Sequence, residues 1–128
     1  MSWIVLLADE FRAEFVALDR AVRVELSARV NVLEEIGPNL GRPRVDSLRG
    51  SRYANMKELR FRADGGVWRV AFAFDPRRQA ILLVAGDKSG TNEGRFYELL
   101  VRRADARFDA HLTRLATETG GGSRWQSQ

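Results

Sequence analysis

Basic side chains that could bind a phosphate recur at alternate positions of two neighbouring predicted strands. The segments KELRFRA (57–63) and VWRVAFAF (67–74) alternate apolar and polar residues around a short Gly-rich turn, which is typical of a β-hairpin. Alternation puts Arg60, Arg62 and Arg69 on one face of that hairpin. Guanidinium groups clamp phosphate oxygens and do not act as bases at their normal pKa. This face is therefore a candidate site for an anion.

The pairing register decides which charges meet across the hairpin. The hydrophobic pattern fits a register that sets Arg62 opposite Arg69 and Arg60 opposite Ala71. Like charges directly across a ladder repel each other, so either carboxylates neutralise the pair or the pair stays open for an anion. Glu58 shares the face, and we expect it to neutralise an arginine rather than to act as a general base.

A third predicted strand, residues 79–86, adds to the same face. If it pairs with the hairpin through Phe74 and Gln79, then Leu82 and Val84 lie beside the arginines, and Lys88 continues on their side. The face is then a basic concavity with an apolar floor. We expect either the last helix or an acidic segment of a protein partner to cover that floor.

The elements that must position this face follow from periodicity. A short strand near the N-terminus precedes two helices with apolar stripes, begun by Asp9 and Asp19, and a last helix opens near Asn92. The predicted fold is α+β, in the order β-α-α-β-β-β-α, with a mostly antiparallel four-stranded sheet packed against the N-terminal helices. Residues 1–118 are predicted to be one domain, and residues 119–128 a flexible tail.

Composition narrows the setting. The chain has 128 residues, no cysteine and a net charge of +4. Residues 42–78 hold ten Lys/Arg and four Asp/Glu, so the middle of the chain is strongly positive while the rest is nearly neutral. This asymmetry favours a polyanion partner. No apolar run is long enough for a membrane span or a signal-peptide core, so a cytoplasmic location is expected.

Metal and cofactor chemistry find no support in the sequence. P-loop, GxGxxG, HExxH and CxxC patterns are absent, and His111 is the single histidine. A lone histidine in a helix is more typical of a surface or half-buried packing residue than of a catalytic base. We expect neither a metal nor a cofactor.

In this order and spacing, GPNLGRPRVDSLRG, KELRFR, GVWRVAFAFD and ILLVAGDKSG resemble the RelE/ParE toxin superfamily in its phage-derived, HigB-like branch. The resemblance extends from residue 3 to about residue 116. It implies a RelE-like fold and the toxin of a type II toxin–antitoxin system. Such a toxin is held inactive by a cognate antitoxin, here expected to be a helix-turn-helix protein, and most RelE-like members cut mRNA on the ribosome.

Carried over by motif, the resemblance indicates Arg60, Arg69 and Lys88 as catalytic residues of a ribosome-dependent endoribonuclease. Arginines would clamp the scissile phosphate, and Lys88 would transfer a proton or act electrostatically. Further RNA contacts are expected from four other basic residues, Lys57, Arg62, Arg52 and Arg77.

Two other functions stay open at this point. A ParE-like inhibitor of a topoisomerase needs no acid–base groups, and the sequence has no histidine or tyrosine evidently placed for catalysis. A basic nucleic-acid-binding scaffold protein would use the arginines only structurally. The three cations on one face favour the nuclease.

Overall fold

The computed structural model describes residues 2–117 and 123–125, which form three α-helices and a six-stranded sheet. In chain order the elements are β1 Val5–Leu7, α1 Asp9–Ala17, α2 Arg20–Ile36, a 3₁₀ turn Gly37–Asn39, β2 Val45–Ser47, β3 Lys57–Ala63, β4 Gly66–Phe74, β5 Ala80–Asp87, α3 Glu93–Ala116 and β6 Ser123–Arg124. The sheet order is β2-β3-β4-β5-β1-β6, with β1 and β5 parallel and the other neighbours antiparallel. The α+β class is confirmed, and β2 and β6 extend the predicted four strands to six.

The β3–β4 hairpin keeps the predicted faces but not the predicted register. Arg60 lies opposite Arg69, and Arg62 lies opposite Val67, so the pairing is shifted by two residues from the expected one. A shift of two leaves every side chain on its own face, because the side-chain period of a strand is also two. The like-charge pair is therefore Arg60–Arg69, instead of Arg62–Arg69.

A β-bulge in β5 corrects the predicted face of Leu82. Phe72 pairs with Leu82 and Ala71 with Val84, which leaves Leu83 as the extra residue. Val84 therefore shares the face of Ala71 and Arg69, as predicted, whereas Leu82 shares the opposite face with Phe72. The carbonyl of Leu83 accepts a hydrogen bond from Nη1 of Arg107 in α3, at 2.8 Å.

The two N-terminal helices bury the predicted apolar stripes. In α2 the buried residues include Val22, Leu26, Val30 and Leu33, and α2 packs against β3. Asp19 occupies the N-cap position without a capping side-chain bond. Gly37 is the C-cap of this helix and has a φ of +71°, a conformation that favours glycine. A Cβ at this position would lie 2.3 Å from Nε1 of Trp3, so the close approach of the Trp3 ring also requires glycine.

Helix α3 covers the part of the sheet that carries the arginines. Asn92 caps it, with Oδ1 accepting a hydrogen bond from the backbone N–H of Arg95 at 3.0 Å. It packs on β4 and β5, and Val84 beneath it is buried. Of the two coverings expected for the apolar floor, the last helix is the one observed.

The C-terminal stretch contributes to the sheet. Within the predicted tail, Ser123–Arg124 pair with β1, and the Trp125 ring packs edge-on against Phe15 with centroids 5.0 Å apart. Residues 119–122 and 126–128 of that tail lie outside the described residues. Among the helices of the described ranges, none combines the length and apolar character needed to cross a bilayer.

Candidate active site on the arginine face

Two arginines meet at the centre of the candidate site. Arg60 of β3 and Arg69 of β4 are direct cross-strand partners. Each has a carboxylate nearby: Nε of Arg69 lies 3.2 Å from Oε1 of Glu58, and Nη1 of Arg60 lies 3.9 Å from Oδ2 of Asp46, which is bonded more closely to Arg42, at 3.1 Å. The Arg69–Glu58 pair is buried, with both side chains 8% exposed, whereas the Arg60–Asp46 pair is partly open to solvent.

Tyr97 of α3 joins the buried ion pair. Its hydroxyl donates to Oε1 of Glu58 at 2.8 Å and accepts from Nε of Arg69 at 3.2 Å. Nη1 of Arg69 also donates to the Trp68 carbonyl at 2.9 Å, which fixes the guanidinium in place. The three side chains form one hydrogen-bonded network of an acid, a phenol and a cation.

Burial sets the protonation behaviour of this network. Desolvation raises the pKa of the Glu58 carboxyl, although the Tyr97 hydrogen bond and the charge of Arg69 both act to lower it. Desolvation, followed by the hydrogen bond to Glu58, also raises the pKa of the Tyr97 hydroxyl. Glu58 is thus a carboxylate that takes up a proton more readily than an exposed glutamate. That property suits a proton acceptor.

Lys88 completes the group of predicted catalytic residues. Its backbone N–H donates to the Val67 carbonyl at 2.9 Å, and its Nζ lies 2.9 Å from Oε1 of Glu93 and 5.9 Å from the centre of the Tyr97 ring. The hydrogen bond from Lys88 lowers the pKa of Glu93, and the charges of Arg69 and Arg60 act in the same direction. The three predicted catalytic cations therefore surround the first turns of α3.

Asp87 precedes Lys88 in the chain, but its carboxylate has other partners. Its Oδ1 accepts hydrogen bonds from the backbone N–H groups of Val67 and Ser89, both at 2.9 Å. Although burial acts to raise it, the pKa of Asp87 is held low by the bonds from Ser89 and Val67. The carboxylate that pairs with Lys88 is Glu93.

Five of the residues described above, Asp46, Glu58, Arg60, Glu93 and Tyr97, border an open cleft of about 570 Å³. We call it the acidic cleft, because three carboxylates and a phenol line it beside two arginines. The lining residues are Asp46, Ser47, Arg49, Glu58, Arg60, Glu93, Gly94 and Tyr97. The carboxylates of Glu58 and Glu93 and the Tyr97 hydroxyl, which can accept or donate protons, thus line the same cleft as Arg60. Across the described ranges, no cluster of three or more His, Asp or Glu residues could hold a metal ion.

The structure does not bring all of the predicted RNA contacts to this cleft. Lys57 has the opposite strand parity, and its Nζ donates to the Pro38 carbonyl at 3.1 Å. Arg52 forms an ion pair with Asp109, which lies about 18 Å along α3 from Tyr97. Arg77 is exposed in the β4–β5 turn, about 20 Å along β4 from Arg69. Of the four, Arg62 lies nearest, on the same face of β3 as Arg60.

Sequence reasoning missed Tyr97, Glu93 and Asp46. Glu93 and Tyr97 are four residues apart, so they share one face at the start of α3. That spacing, directly after Lys88, was the available signal. Asp46 lies on a strand of only three residues, which leaves little periodicity to detect.

His111 occupies a different environment from the expected one. It is fully buried, its Nε2 lies 2.9 Å from Oδ2 of Asp75, and its ring stacks on Phe108 with centroids 6.3 Å apart. Asp75 in turn accepts hydrogen bonds from the backbone N–H groups of Arg77 and Gln79. His111 thus anchors α3 to the β4–β5 turn, far from the acidic cleft.

Comparison with known proteins adds family information to this geometry. Residues 13–109 match the family model described as phage derived protein Gp49-like. The chain is 44% identical over 118 residues to "Putative toxin HigB3" of Mycobacterium tuberculosis, covering 92% of this chain and 98% of that protein. It is 49% identical over 96 residues to "Putative toxin HigB2" of the same organism, covering 74% of this chain and 47% of that protein.

One solved structure shares the fold. A double arginine-to-alanine mutant of the E. coli toxin RelE in the free state aligns with a TM-score of 0.55, covering 80% of this chain and 96% of that chain. Sequence identity in this alignment is 15%, so the likeness concerns the fold alone.

Proposed function

Since this chain belongs to the phage-derived Gp49-like family, we propose that it is the toxin of a type II toxin–antitoxin pair and that it cleaves mRNA at the acidic cleft. One observation carries the proposal. Arg60, Arg69 and Lys88 lie around a hydrogen-bonded pair, the buried Glu58 and the half-buried Tyr97, that is able to transfer a proton. Phosphate clamping and proton transfer are the two requirements of RNA cleavage by its own 2′-hydroxyl.

The proposed reaction has a balanced sequence of bond changes. The 2′ oxygen attacks phosphorus and gives its proton to the Tyr97 hydroxyl, which passes its own proton to Glu58. Arg60 and Arg69 stabilise the extra negative charge on the phosphorane. The bond to the 5′ oxygen then breaks, and Lys88 protonates that leaving group. The products are a 2′,3′-cyclic phosphate and a 5′-hydroxyl end.

The free protein holds its cations in a neutralised state. Asp46 and Glu93 each occupy a position beside a cation, where a phosphate oxygen would bind, whereas Glu58 stays in place as the proton acceptor. Glu93 is mostly exposed, so it can leave Lys88 when RNA enters. In this proposal the ribosome aligns the mRNA and thereby supplies the orientation that a small site lacks. The toxin acts in the cytoplasm and is inhibited by a cognate helix-turn-helix antitoxin.

Burial of Arg69 favours a second candidate function. An arginine that is 7% exposed and paired with Glu58 can also serve the fold alone, as it would in a ParE-like inhibitor that binds a topoisomerase without catalysis. The two functions disturb different processes in the cell.

Induction in cells separates them. The nuclease predicts growth arrest with new mRNA 5′ ends detected by primer extension, and Tyr97→Phe removes those ends. Altered DNA supercoiling with intact mRNA would instead support the topoisomerase inhibitor. A purified ribosome–mRNA complex then tests whether cleavage requires the ribosome.

A further inference from the structure

A second cleft, beside the acidic one, is lined by arginines and by no acid. We call it the arginine cleft and define it by its lining residues Arg29, Pro43, Arg44, Arg60, Phe61, Arg62, Val67 and Arg69. Its volume is about 520 Å³. Arg60 borders both clefts, so they meet at that side chain.

The charges in the arginine cleft are incompletely neutralised. Arg29 lies 3.5 Å from Glu25, and Arg60 and Arg69 have the carboxylate partners already described. Arg44 and Arg62 are exposed and have no carboxylate partner within residues 2–117 and 123–125. Two cations are therefore left without a counter-charge next to three that are paired. This is an arrangement that a bound anion stabilises.

The backbone aligns three of these arginines across neighbouring strands. The β2–β3 register continues to Arg44, whose carbonyl accepts a hydrogen bond from the N–H of Arg60 at 2.8 Å. Arg60 in turn pairs with Arg69. Strands lie about 4.8 Å apart, so the backbones of Arg44 and Arg69 are separated by about 10 Å. Like charges in adjacent register positions cost stability, which a functional requirement would explain.

The lining also identifies the kind of ligand. Guanidinium groups bind phosphates bidentately, and apart from arginines the cleft offers only Pro43, Phe61 and Val67. Phe61 is buried, so neither a deep apolar pocket for a peptide side chain nor an exposed ring for a base is present in this lining. An RNA strand bound in this cleft would be held by its phosphates, and its base sequence would not be distinguished.

We propose that the arginine cleft binds the phosphates of the mRNA strand adjacent to the scissile linkage. The strand then crosses Arg60 from the acidic cleft, where proton transfer occurs, into the arginine cleft, where its backbone is held. This inference rests on the proposed function for the identity of the strand as mRNA. It assigns Arg29 and Arg44 to substrate binding, in addition to Arg62.

The test is the salt dependence of RNA binding. The probe is a short 2′-O-methyl single strand, which cannot be cleaved by 2′-hydroxyl attack, and its affinity is measured by fluorescence anisotropy over a range of salt concentrations. The test variant is Arg29→Gln/Arg44→Gln. The matched control is Arg12→Gln/Arg124→Gln, which removes two exposed arginines elsewhere on the surface.

Each phosphate contact on a single strand contributes about 0.7 to the slope of log K against log salt concentration. The test variant should therefore lose about 1.4 from that slope, and its dissociation constant should rise roughly 25-fold near 0.1 M salt. The control should retain the wild-type slope. If the double variant folds poorly, Arg44→Gln alone should lose about 0.7.

Equal slopes in the test and control variants would overturn the inference. So would a test variant that binds RNA normally but no longer binds the antitoxin, because the cleft would then belong to an acidic protein. If the wild type cleaves mRNA but the test variant keeps the wild-type slope, the proposed function stands and RNA binding by the arginine cleft is refuted. A changed slope in a protein that cuts no mRNA supports the cleft and refutes the nuclease.

Discussion

Glu58 and Arg69 form a buried ion pair across two central strands, with Oε1 and Nε 3.2 Å apart. The same two residues share the Tyr97 hydroxyl. A buried pair of this kind stabilises the fold weakly as a whole, but loss of one partner leaves an uncompensated polar group. Arg69 is therefore both a candidate phosphate clamp and a structural residue.

Arg69→Ala should lower stability and abolish toxicity together. The stranded Glu58 carboxyl should cost about 1 to 3 kcal/mol in the free energy of unfolding, partly offset by relief of the Arg60–Arg69 repulsion. Adding Glu58→Gln should restore part of that stability without restoring toxicity. Chemical denaturation and growth arrest on both variants check this. Full toxicity of Arg69→Ala would move the assignment to the non-catalytic inhibitor.

Tyr97→Phe should separate chemistry from folding. The ring and its packing remain, so the loss of one hydrogen-bonding hydroxyl should cost about 0.5 to 1.5 kcal/mol in stability. The cleavage rate in single-turnover reactions on programmed ribosomes should fall by roughly 10²- to 10⁴-fold. Binding of a 2′-O-methyl strand should be unchanged. A variant that cleaves at the wild-type rate would remove Tyr97 from the proton relay.

The raised pKa of Glu58 predicts the sign of a pH effect on stability. Because the folded state binds this proton more tightly than the unfolded state, the contribution is complete below the unfolded pKa, near 4.5, and is lost as pH rises through the raised folded pKa. The free energy of unfolding of the wild type, relative to Glu58→Gln, should fall with rising pH in that window, by at most about 1.4 kcal/mol per pH unit. A relative stability that rises with pH would show that the charge of Arg69 outweighs burial.

His111→Gln should leave the chemistry intact. Its partner Asp75 is fully buried, so weakening their contact should cost about 1 to 3 kcal/mol in stability. His111 lies about 20 Å along α3 from Tyr97, too far to act on the same phosphate. Toxicity at a temperature where the variant is folded should therefore match the wild type. Loss of mRNA cleavage in a fully folded variant would contradict this structural role.

The alternation of residues along each strand made the faces of the hairpin predictable. The pairing register between strands and the position of the β-bulge were not predictable. The two-residue slip that replaced Arg62 by Arg60 opposite Arg69 preserves the alternation, so no pattern in the hairpin distinguishes the two registers. The bulge at Leu83 changes parity within a buried run of apolar residues, where both faces look alike in sequence. That is why Leu82 was placed on the wrong face and Val84 on the correct one.

The cations of the site were predictable, and their acidic partners were less so. Arg60, Arg69 and Lys88 lie on strands or directly after one, where alternation determines their direction. Tyr97 and Glu93 reach them from α3, and their approach depends on where that helix crosses the sheet. Crossing geometry comes from tertiary packing, which local periodicity does not encode.

The hydrogen bonds and ion pairs that join α3 to other elements are distributed unevenly along the helix. Its second half is held by Asp105 to Ser51 at 2.5 Å, by Arg107 to Glu14 at 2.6 Å and by His111 to Asp75 at 2.9 Å. In the first half Leu100 and Ala104 are buried, but among the described residues its side-chain hydrogen bonds and ion pairs to other elements are those of Glu93 and Tyr97 in the candidate site. Amide hydrogens in the first turns should therefore exchange with solvent faster than those of the second half, as separate cooperative units do. A local opening there would uncover Arg69 and release Lys88 from Glu93 while the rest of the helix stays folded.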